Sequence, residues 1–332
     1  MAAIDAASSA IVIREATSAD ALVLADIERR TPLMVGDSTL AIDRGADYFA
    51  AARLMEAATV FLAEVDGVAA AVQCGALHPV LLGGVGRQML YIHHVRILPQ
   101  FQRRGLGRLF SAKVRVTFQP HSQNSYWYIA ADNAVSQGFA RAAKNRWTFR
   151  PVLVGIDTRA QAGPMVGRPA TPADGPRIVE LLNAAHWDEE MFLPYTVESL
   201  TARLERAPAQ YSWPHVWLYG AAVVGVWPEG ESICVLHTDP SGAVTTTRGA
   251  AVLDFGCAPT GANDLVALLR AWCGWLAPRD MVELSIFTSP HTWHHDSLTD
   301  LGRVSPFDFW TPELPQPETA EQRGLYVDHV YF

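Results

Sequence analysis

The chain has 332 residues, of which 49% are hydrophobic and 18% charged, and its formal net charge at pH 7 is −8. This length predicts two domains with enough apolar material for two cores, and the acidic balance argues against nucleic acid as a partner. We also expect no membrane association, because no apolar run approaches the roughly 20 residues that span a bilayer. The first residues lack the basic and apolar regions of a signal peptide.

The cysteines show no spacing typical of a disulfide framework or a zinc site. They are Cys74, Cys234, Cys257 and Cys273. We therefore expect reduced thiols in a cytoplasmic protein.

Strand and helix patterns alternate along the first half of the chain. Asp66-Gly67 predicts a tight hairpin turn between two apolar runs, and Ser18 followed by Asp20 predicts the start of the first helix. The predicted elements, in chain order, are strand 11–14, helix 21–29, strand 59–64, strand 68–75, strand 90–97, helix 106–118, strand 125–130, helix 134–143 and strand 147–156.

The stretch Leu90–Phe110 combines a strand, a basic glycine loop and the start of a helix. Its strand ends before Pro99, which cannot donate to a sheet. In the loop, Gly105 and Gly107 let a backbone approach a ligand closely. The flanking arginines are Arg103, Arg104 and Arg108. Because the first turn of a helix leaves N–H groups unpaired and its dipole favours negative charge, this stretch predicts a phosphate-binding loop.

Two familiar phosphate loops do not fit this stretch. A Walker loop ends in Gly-Lys-Ser/Thr, whereas Gly107 is followed by Arg108. A dinucleotide-binding loop needs a third glycine at the position of Phe110.

The pattern Gln/Arg-x-x-Gly-x-Gly/Ala, after a strand ending V-x-I-x-P, resembles the acyl-CoA loop of the GNAT superfamily of N-acyltransferases. The residues that fill this pattern are Val95, Ile97, Pro99, Gln102, Gly105 and Gly107. A plain strand-to-helix turn with solvated arginines is the alternative interpretation. The order of elements over residues 11–157 is also similar to a GNAT domain. The resemblance therefore implies an α/β (α+β) fold, with a mixed, mostly antiparallel β-sheet flanked by helices.

The beginning of this pattern recurs in the second half of the chain. The segment Arg14–Asp20 (REATSAD) returns as Arg168–Asp174 (RPATPAD), and strand and helix patterns follow in the same order up to a last strand, Leu325–Phe332. We therefore predict two tandem GNAT folds. The boundaries are an N-terminal acyl-CoA-binding domain over 1–158, a linker over 159–167 and a degenerate C-terminal domain over 168–332.

The second copy has lost the charge of the phosphate loop. Its corresponding segment, Cys257–Ala262 (CAPTGA), keeps one glycine and no arginine. We predict that this copy no longer binds CoA and serves architecture or substrate selection, with degenerate acyl-CoA binding as the alternative. Its surplus of tryptophans suits either a core or a pocket for a bulky substrate. The segment 186–190 is a candidate specificity loop.

The resemblance implies that the acyl–pantetheine arm lies between the strands 90–97 and 125–130. Alternation along the first strand predicts two faces. One face carries Tyr91, His93, Val95 and Ile97, and the other carries Ile92, His94 and Arg96. We predict His93 as the general base, since histidine titrates near neutrality, and Tyr91 as a proton relay. A hydrogen-bonded strand histidine is the alternative, and His94 is predicted to be structural.

The contacts to CoA that the resemblance implies lie on this strand, in the loop and on the helix after the next strand. They are Val95, Arg96, Ile97, Gln102, Arg103, Arg104, Gly105, Leu106, Gly107, Arg108, Asn133, Ser136 and Phe139. The family often places a tyrosine acid seven residues after the asparagine, but Ala140 stands there. The proton for the thiolate then has to come from Ser136, Tyr126, Tyr128 or water.

The resemblance implies an N-acetyltransferase that moves an acetyl group from acetyl-CoA, or another acyl group from its CoA ester, to a primary amine of a small molecule. A longer-chain acyltransferase for a bulky natural product, a protein-lysine acetyltransferase and a CoA-binding scaffold without activity are the alternatives. We expect a monomer or homodimer and no metal. The segment 291–296 (HTWHHD) has three histidines and an aspartate, all of metal-ligating type, but helix-capping and surface roles are the simpler interpretation.

Overall fold

The computed structural model describes residues 10–35, 37–45, 47–122, 124–142, 146–311 and 323–331. In the first half of the chain the elements are β1 Ile11–Glu15, α1 Ala21–Arg29, β2 Leu33–Val35, β3 Ser38–Asp43, α2 Ala50–Leu54, β4 Ala58–Val65, β5 Val68–Leu82, β6 Val85–Ile97, α3 Leu106–Phe118, β7 Asn124–Ala130, α4 Ala134–Ala142, β8 Arg146–Phe149 and β9 Val152–Asp157.

In the second half the elements are β10 Arg168–Pro169, α5 Gly175–His186, α6 Val197–Arg206, β11 Val216–Tyr219, β12 Ala222–Trp227, β13 Cys234–Thr238, β14 Val244–Thr247, β15 Gly249–Cys257, α7 Ala262–Leu276, β16 Glu283–Thr288, α8 His295–Thr299 and β17 Arg303–Thr311. Among the described residues, none of these helices is both long enough and apolar enough to cross a membrane.

One large sheet runs through both halves, in the order β1-β4-β5-β6-β7-β17-β9-β16-β15-β12-β11-β10. Parallel pairing joins β6 to β7 and β15 to β16, and the other neighbours are antiparallel. Helices cover the sheet, so the predicted mixed, mostly antiparallel α/β architecture is confirmed.

The two halves exchange their last strands. Strand β9 of the first half pairs with β16 of the second, over Val152–Asp157 and Glu283–Thr288. Strand β17 of the second half inserts beside β7 of the first, where Phe307–Trp310 pairs with Trp127–Ala130. The hydrogen-bonded sheet is therefore continuous across the predicted linker.

A second, smaller sheet also joins the halves. Its order is β14-β13-β3-β2, and β3 of the first half pairs with β13 of the second over Thr39–Asp43 and Cys234–Thr238. None of these four strands was predicted from the sequence. The small sheet lies beside α1 and leads into the segment before α2, so it covers part of the first half with residues from both copies.

The two copies of the sequence motif, Arg14–Asp20 and Arg168–Asp174, form the same helix cap. Arg14 binds Asp20 with Nη1–Oδ2 at 2.9 Å, and Arg168 binds Asp174 with the same pair of atoms at 2.9 Å. In each copy the aspartate also accepts the backbone N–H of the threonine three residues earlier, and each threonine begins a capping box. The same local contacts therefore start the first long helix of both copies.

Two predicted strands differ from the structure. The predicted strand 147–156 is two strands, β8 and β9, because Pro151 between them has no N–H to donate. The prediction of a strand over Leu325–Phe332 was wrong for residues 325–331. Leu325 forms a single bridge to Glu190, and His329–Tyr331 is a 3-10 turn. Phe332 lies outside the described residues.

Most tryptophans of the second half are core residues. Those less than a tenth exposed are Trp213, Trp217, Trp227, Trp272 and Trp310. Trp217 and Trp272 stack with ring centroids 4.2 Å apart. Trp187, in the predicted specificity loop, is 74% exposed. Trp217 and Trp272 pack between the sheet and α7, Trp213 and Trp227 belong to a second core cluster, and Trp310 packs in the core under α3. The aromatic surplus is thus largely explained by core packing.

Candidate functional site

Residues 102–108 form an exposed loop at the start of α3, which we name the anion loop. Gly105 precedes the helix with φ +79°, a left-handed conformation that favours glycine. The side-chain amide of Gln102 donates to the Ile97 carbonyl at 2.9 Å and ties the loop to the end of β6. At Gly107, a Cβ atom would lie 3.3 Å from Ile97 Cδ1, so the loop packs closely on the strand.

The anion loop presents backbone donors and positive charge together. The N–H groups of residues 103–107 make no backbone hydrogen bond within the described residues. Arg103, Arg104 and Arg108 are exposed, and none forms an ion pair with a described residue. Unpaired N–H groups at a helix start, with nearby guanidinium groups, form a site for phosphate.

A gap opens in the sheet beside this loop. Strands β6 and β7 pair only from Met89 to Tyr91 and from Asn124 to Tyr126, and then separate. We name the opening beyond these pairs the first splay. It leads from the anion loop towards a group of aromatic rings. The ring of Tyr91 stacks on Tyr126 at 5.0 Å and lies 5.9 Å from Tyr128.

A β-bulge changes the predicted faces of β6. Pairing with β5 shifts between Val72 and Cys74, so that His94 and Val95 both lie opposite one residue. His94 has φ +51°, and its ring contacts that of His93 instead of facing the other way. The extra residue reverses the alternation that follows. The prediction that His94 lies opposite His93 was therefore wrong.

The two faces that result have different surroundings. Ile97 packs with the core under α3. Arg96 pairs in register with Val72, which packs with Leu24 and Tyr48 under α1. Cross-strand neighbours share a face of a sheet. His93, His94 and Arg96 consequently lie on the α1 side, whereas Ile97 lies on the α3 side.

His93 lies inside the first splay but differs from an ordinary histidine. It is 8% exposed, and its ring stacks on Tyr91 at 4.6 Å. Its Nε2 is buried without a hydrogen-bond partner among the described residues. Burial, and then the charge of Arg44, lower the pKa of His93 to about 3. The imidazole is therefore neutral at pH 7 and accepts a proton less readily than predicted; its role as base stays a prediction.

Tyr91 is protonated at neutral pH, and the Tyr126 hydroxyl has a histidine beside it. Burial raises the pKa of Tyr91 well above its usual value. The Tyr126 hydroxyl lies 2.6 Å from Nδ1 of His78, whose own pKa burial lowers to about 4. Both hydroxyls can give a proton or a hydrogen bond, so their predicted roles as relay or acid stay open.

The predicted contacts on α4 flank the anion loop. Asn133 caps the helix, with Oδ1 accepting the N–H of Ser136 at 3.1 Å. Phe139 is 43% exposed, and its Cε2 would lie 4.0 Å from a Cβ at Gly107. Ala140 is fully buried, so the position where the family has a tyrosine faces the core.

A buried ion pair lies across the α1 side of this strand. Arg44 Nε binds Glu28 Oε2 at 2.7 Å, and both side chains are less than a tenth exposed. The Arg44 guanidinium also contacts His94 Nε2. His93 Nδ1 and His94 Nδ1 lie 2.5 Å apart, so one nitrogen donates to the other. Together these contacts link the bulge of β6 to α1.

The second half has the same gap, which we name the second splay. Strands β15 and β16 pair from Gly249 to Ala251 and from Glu283 to Ser285, and then separate. Residues 323–331, which we name the tail, enter this gap. His329 Nδ1 lies 3.1 Å from the Val252 carbonyl on one strand, and its ring lies 5.0 Å from that of Phe287 on the other.

Buried charges fix the tail. Arg203 binds both carboxylate oxygens of Asp328 at 2.8 Å and Asp254 Oδ2 at 3.0 Å. The hydroxyls of Tyr195 and Tyr211 donate to Asp254 at 2.9 and 2.7 Å. The predicted specificity segment contributes as well, because Glu190 exchanges backbone hydrogen bonds with the tail residues 324 and 326.

A second buried cluster supports the start of the tail. His186 Nδ1 lies 2.7 Å from Glu189 Oε1, and its Nε2 donates to the Phe255 carbonyl at 2.8 Å. His294 Nε2 lies 3.2 Å from the same Glu189 oxygen. The segment 291–296 thus contributes one histidine to a cluster with His186, which its local spacing could not reveal.

Two groups of side chains have the donor types of a metal site. They are Cys74, His93 and His94 on β5 and β6, and His186, Glu189 and His294 in the second half. In the first group the Arg44 guanidinium contacts His94 and opposes a cation. In the second group every ring nitrogen already has a hydrogen-bond partner.

Comparisons by sequence find no relatives, since no protein-family profile and no curated protein matches the chain. Solved structures do match. N-myristoyltransferase of Saccharomyces cerevisiae with bound myristoyl-CoA has a TM-score of 0.62 at 8% identity, covering 94% of this chain and 83% of that one. A tandem GNAT protein from the clavulanic acid biosynthesis pathway has a TM-score of 0.59 at 13% identity, covering 91% and 98%.

A GCN5-related N-acetyltransferase from Sphaerobacter thermophilus has a TM-score of 0.54 at 14% identity, covering 91% of this chain and 95% of that one. Identities this low establish the fold alone. The exchanged strands, the two splays and the repeated helix cap agree with that fold. The chain therefore has the GNAT fold in two tandem copies.

Proposed function

We propose that the chain is an acyl-CoA-dependent N-acyltransferase whose co-substrate binds in the first half. The observation that carries this proposal is the anion loop at the mouth of the first splay. Its N–H groups at residues 103–107, which have no backbone partner in the described part of the chain, suit the pyrophosphate of CoA, and its three arginines add charge. The splay then offers the pantetheine arm a path between β6 and β7.

The transferred group in this proposal is acetyl. Beyond His93 the floor of the first splay is filled by the rings of Tyr91, Tyr126 and Tyr128, whose centroids lie 5.0 to 5.9 Å apart. Closely packed aromatic rings leave little room for a long acyl chain. The acceptor is a primary amine of a small molecule.

In the reaction the amine nitrogen attacks the thioester carbonyl carbon, the C–N bond forms and the C–S bond breaks. The proton lost by nitrogen ends on the CoA thiolate. In this proposal His93 carries that proton, which is supported by its Nε2 being buried without a partner among the described residues. Because its pKa is lowered, the His93 imidazole accepts a proton from the acidic ammonium of the tetrahedral intermediate more readily than from a free ammonium ion.

Thermal shift with free CoA, acetyl-CoA, succinyl-CoA and myristoyl-CoA tests this proposal, because a ligand of the native state raises the melting temperature. We expect acetyl-CoA to stabilise the protein at least as well as myristoyl-CoA. The variant Arg103→Gln/Arg104→Gln/Arg108→Gln should lose the shift. The control Arg159→Gln/Arg177→Gln/Arg303→Gln, which removes the same charge from exposed sites in the linker and the second half, should keep it.

Three outcomes would contradict parts of the proposal. A protein that no CoA ester stabilises would refute CoA binding. A larger shift with myristoyl-CoA would refute the acetyl assignment. Slow hydrolysis of acetyl-CoA tests activity without an acceptor, and its absence in a protein that binds acetyl-CoA would favour the scaffold.

A further inference from the structure

The α1 side of β6 carries charged and polar groups whose partners are incomplete. We name this set the α1-side cluster: Glu28, Arg44, Tyr48, His93, His94 and Arg96. Buried polar atoms normally have hydrogen-bond partners. Here Glu28 Oε1, Tyr48 Oη and His93 Nε2 are buried with none among the described residues. Three such atoms beside the first splay indicate that a ligand completes the set.

The charges of the cluster do not balance. Glu28 is ion-paired with Arg44. Burial and the nearby arginines lower the pKa of both histidines, so they are neutral at pH 7. Arg96 is half-buried and forms no ion pair with a described residue. One positive charge therefore remains on this side of the strand.

The carboxyl group of Glu229 does not balance this excess positive charge. It belongs to the turn before β13, and burial raises its pKa to about 7, although the charge of Arg44 acts in the opposite direction. At neutral pH it is therefore only partly ionised. The Glu229 carboxyl approaches β15, where a Cβ added at Gly249 would lie 3.7 Å from Glu229 Oε1. No ion pair among the described residues joins Glu229 to Arg96.

The cluster begins where the reaction would take place. His93 and Arg96 flank the bulge of β6, only three positions apart. The pantetheine arm would pass on the side of Val95 and Ile97. A ligand on the α1 side would therefore reach the same bulge from the opposite face, which is the position that an acceptor amine requires.

We propose that the acceptor carries a carboxylate close to its amine, as an amino acid does, and that Arg96 binds this carboxylate. A guanidinium group binds a carboxylate with two parallel hydrogen bonds, which fixes the orientation of the acceptor. One carboxylate matches one excess positive charge, whereas a phosphate dianion exceeds it. The proposal rests on the proposed acyltransferase, since it names the acceptor class of that site.

Matched acceptors test the proposal directly. The probes are glycine, β-alanine, glutamate and phenylalanine, each with its primary α-amide or C-terminal amide, at saturating acetyl-CoA. We expect kcat/KM to be at least tenfold higher for the best acid than for its amide. In Arg96→Gln we expect this preference to disappear through a higher KM for the acid. Arg96→Lys should restore part of it, because lysine keeps the charge but not the two-bond geometry.

Two controls separate the carboxylate contact from other effects. Arg30→Gln, at an exposed ion pair on the end of α1, should behave like the parent protein. Arg96 was predicted to contact CoA, but its register with Val72 puts its side chain on the α1 side, away from the pantetheine arm. The affinity of Arg96→Gln for free CoA, measured by calorimetry, should therefore stay within twofold of the parent. Equal use of acids and amides by the parent, or an unchanged preference in Arg96→Gln, would overturn the proposal while leaving the acyltransferase intact.

A binding experiment keeps the inference testable if no amine is acylated. Thermal shift with the same acids and amides, in the presence of free CoA, should show stabilisation by an acid in the parent and its loss in Arg96→Gln. That result would support the carboxylate site even if the proposed reaction failed. No stabilisation by any acid in the parent would overturn it.

Discussion

The two splays open in the same way but have different contents. Both open where a parallel strand pair ends after three residues, at Tyr91 and Tyr126 in the first half and at Ala251 and Ser285 in the second. The first has an arginine-rich loop at its mouth and buried polar atoms without partners among the described residues. The second has no arginine in its loop and holds the protein's own tail. The comparison indicates that two clefts opened by the same strand separation can have different contents, one of them a segment of the chain itself.

The largest expected effect is on the tail. In Arg203→Met, Asp254 and Asp328 would stay buried without their counter-charge, so we expect unfolding to become easier by about 3–5 kcal/mol. Urea denaturation measures the change. The control Arg177→Met, at an exposed pair, should change stability by less than about 0.5 kcal/mol. Equal stability of the two variants would mean that the tail is not held by these charges.

Acid should destabilise the protein through a buried cluster in the second half. The two histidines that bind Glu189 lower its pKa to about 2, although burial alone would raise it. Its ionised form therefore stabilises the fold above its usual pKa of 4.5, and this contribution of about 3 kcal/mol is lost as the pH falls from 4.5 towards 2. Denaturation midpoints between pH 5 and 2.5 should fall more steeply for the parent than for Glu189→Gln.

If the denaturation midpoints of the parent and of Glu189→Gln fall equally steeply with pH, the cluster of Glu189 with His186 and His294 does not contribute to acid unfolding. Glu205→Gln is a suitable control, because that exposed side chain lies in the same half.

A negative charge should weaken CoA binding when it is added to the anion loop of the first half, but not when it is added to the matching loop of the second half. The carboxylate of Gly105→Asp would face the pyrophosphate, and aspartate is strained at φ +79°. We expect the affinity for CoA to fall about a hundredfold, which is about 2.7 kcal/mol. Thr260→Asp adds the same charge to the exposed loop of the second half and should leave the affinity unchanged. Calorimetry should also give one CoA per chain.

Two CoA molecules per chain would show that the tail does not exclude the co-substrate. An affinity reduced equally by both substitutions would remove the distinction between the two loops.

The smallest expected effect is at His93. We expect His93→Ala to lower kcat about tenfold and to change KM less than twofold, because the imidazole carries the proton whereas Arg96 supplies the main contact to the acceptor. Since its pKa is about 3, the shape of the pH–rate profile between pH 5 and 8 should not change. His121→Ala, on the surface, is the control. A lost pH limb near 6.5 would mean that His93 titrates in the working enzyme.

Local signals in the sequence were enough to predict the anion loop and the repeat. Gly105 and Arg168 stand in short motifs whose structural reason is local, a left-handed turn and a helix cap. The faces of β6 were predicted wrongly beyond His93, because a bulge depends on the pairing with β5 and leaves no sign in the alternation of residues. The cluster of His186 with Glu189 and His294 joins distant segments, so only the fold could reveal it.

The exchanged strands also bear on how the duplication can evolve. A chain cut between Asp157 and Arg168 would separate β9 from β16, and β17 from β7, leaving unpaired edges in both pieces. Neither copy can therefore be inherited, lost or recombined as an independent unit, although each keeps the plan of a whole fold. Each half therefore needs a strand of the other, whatever each half binds.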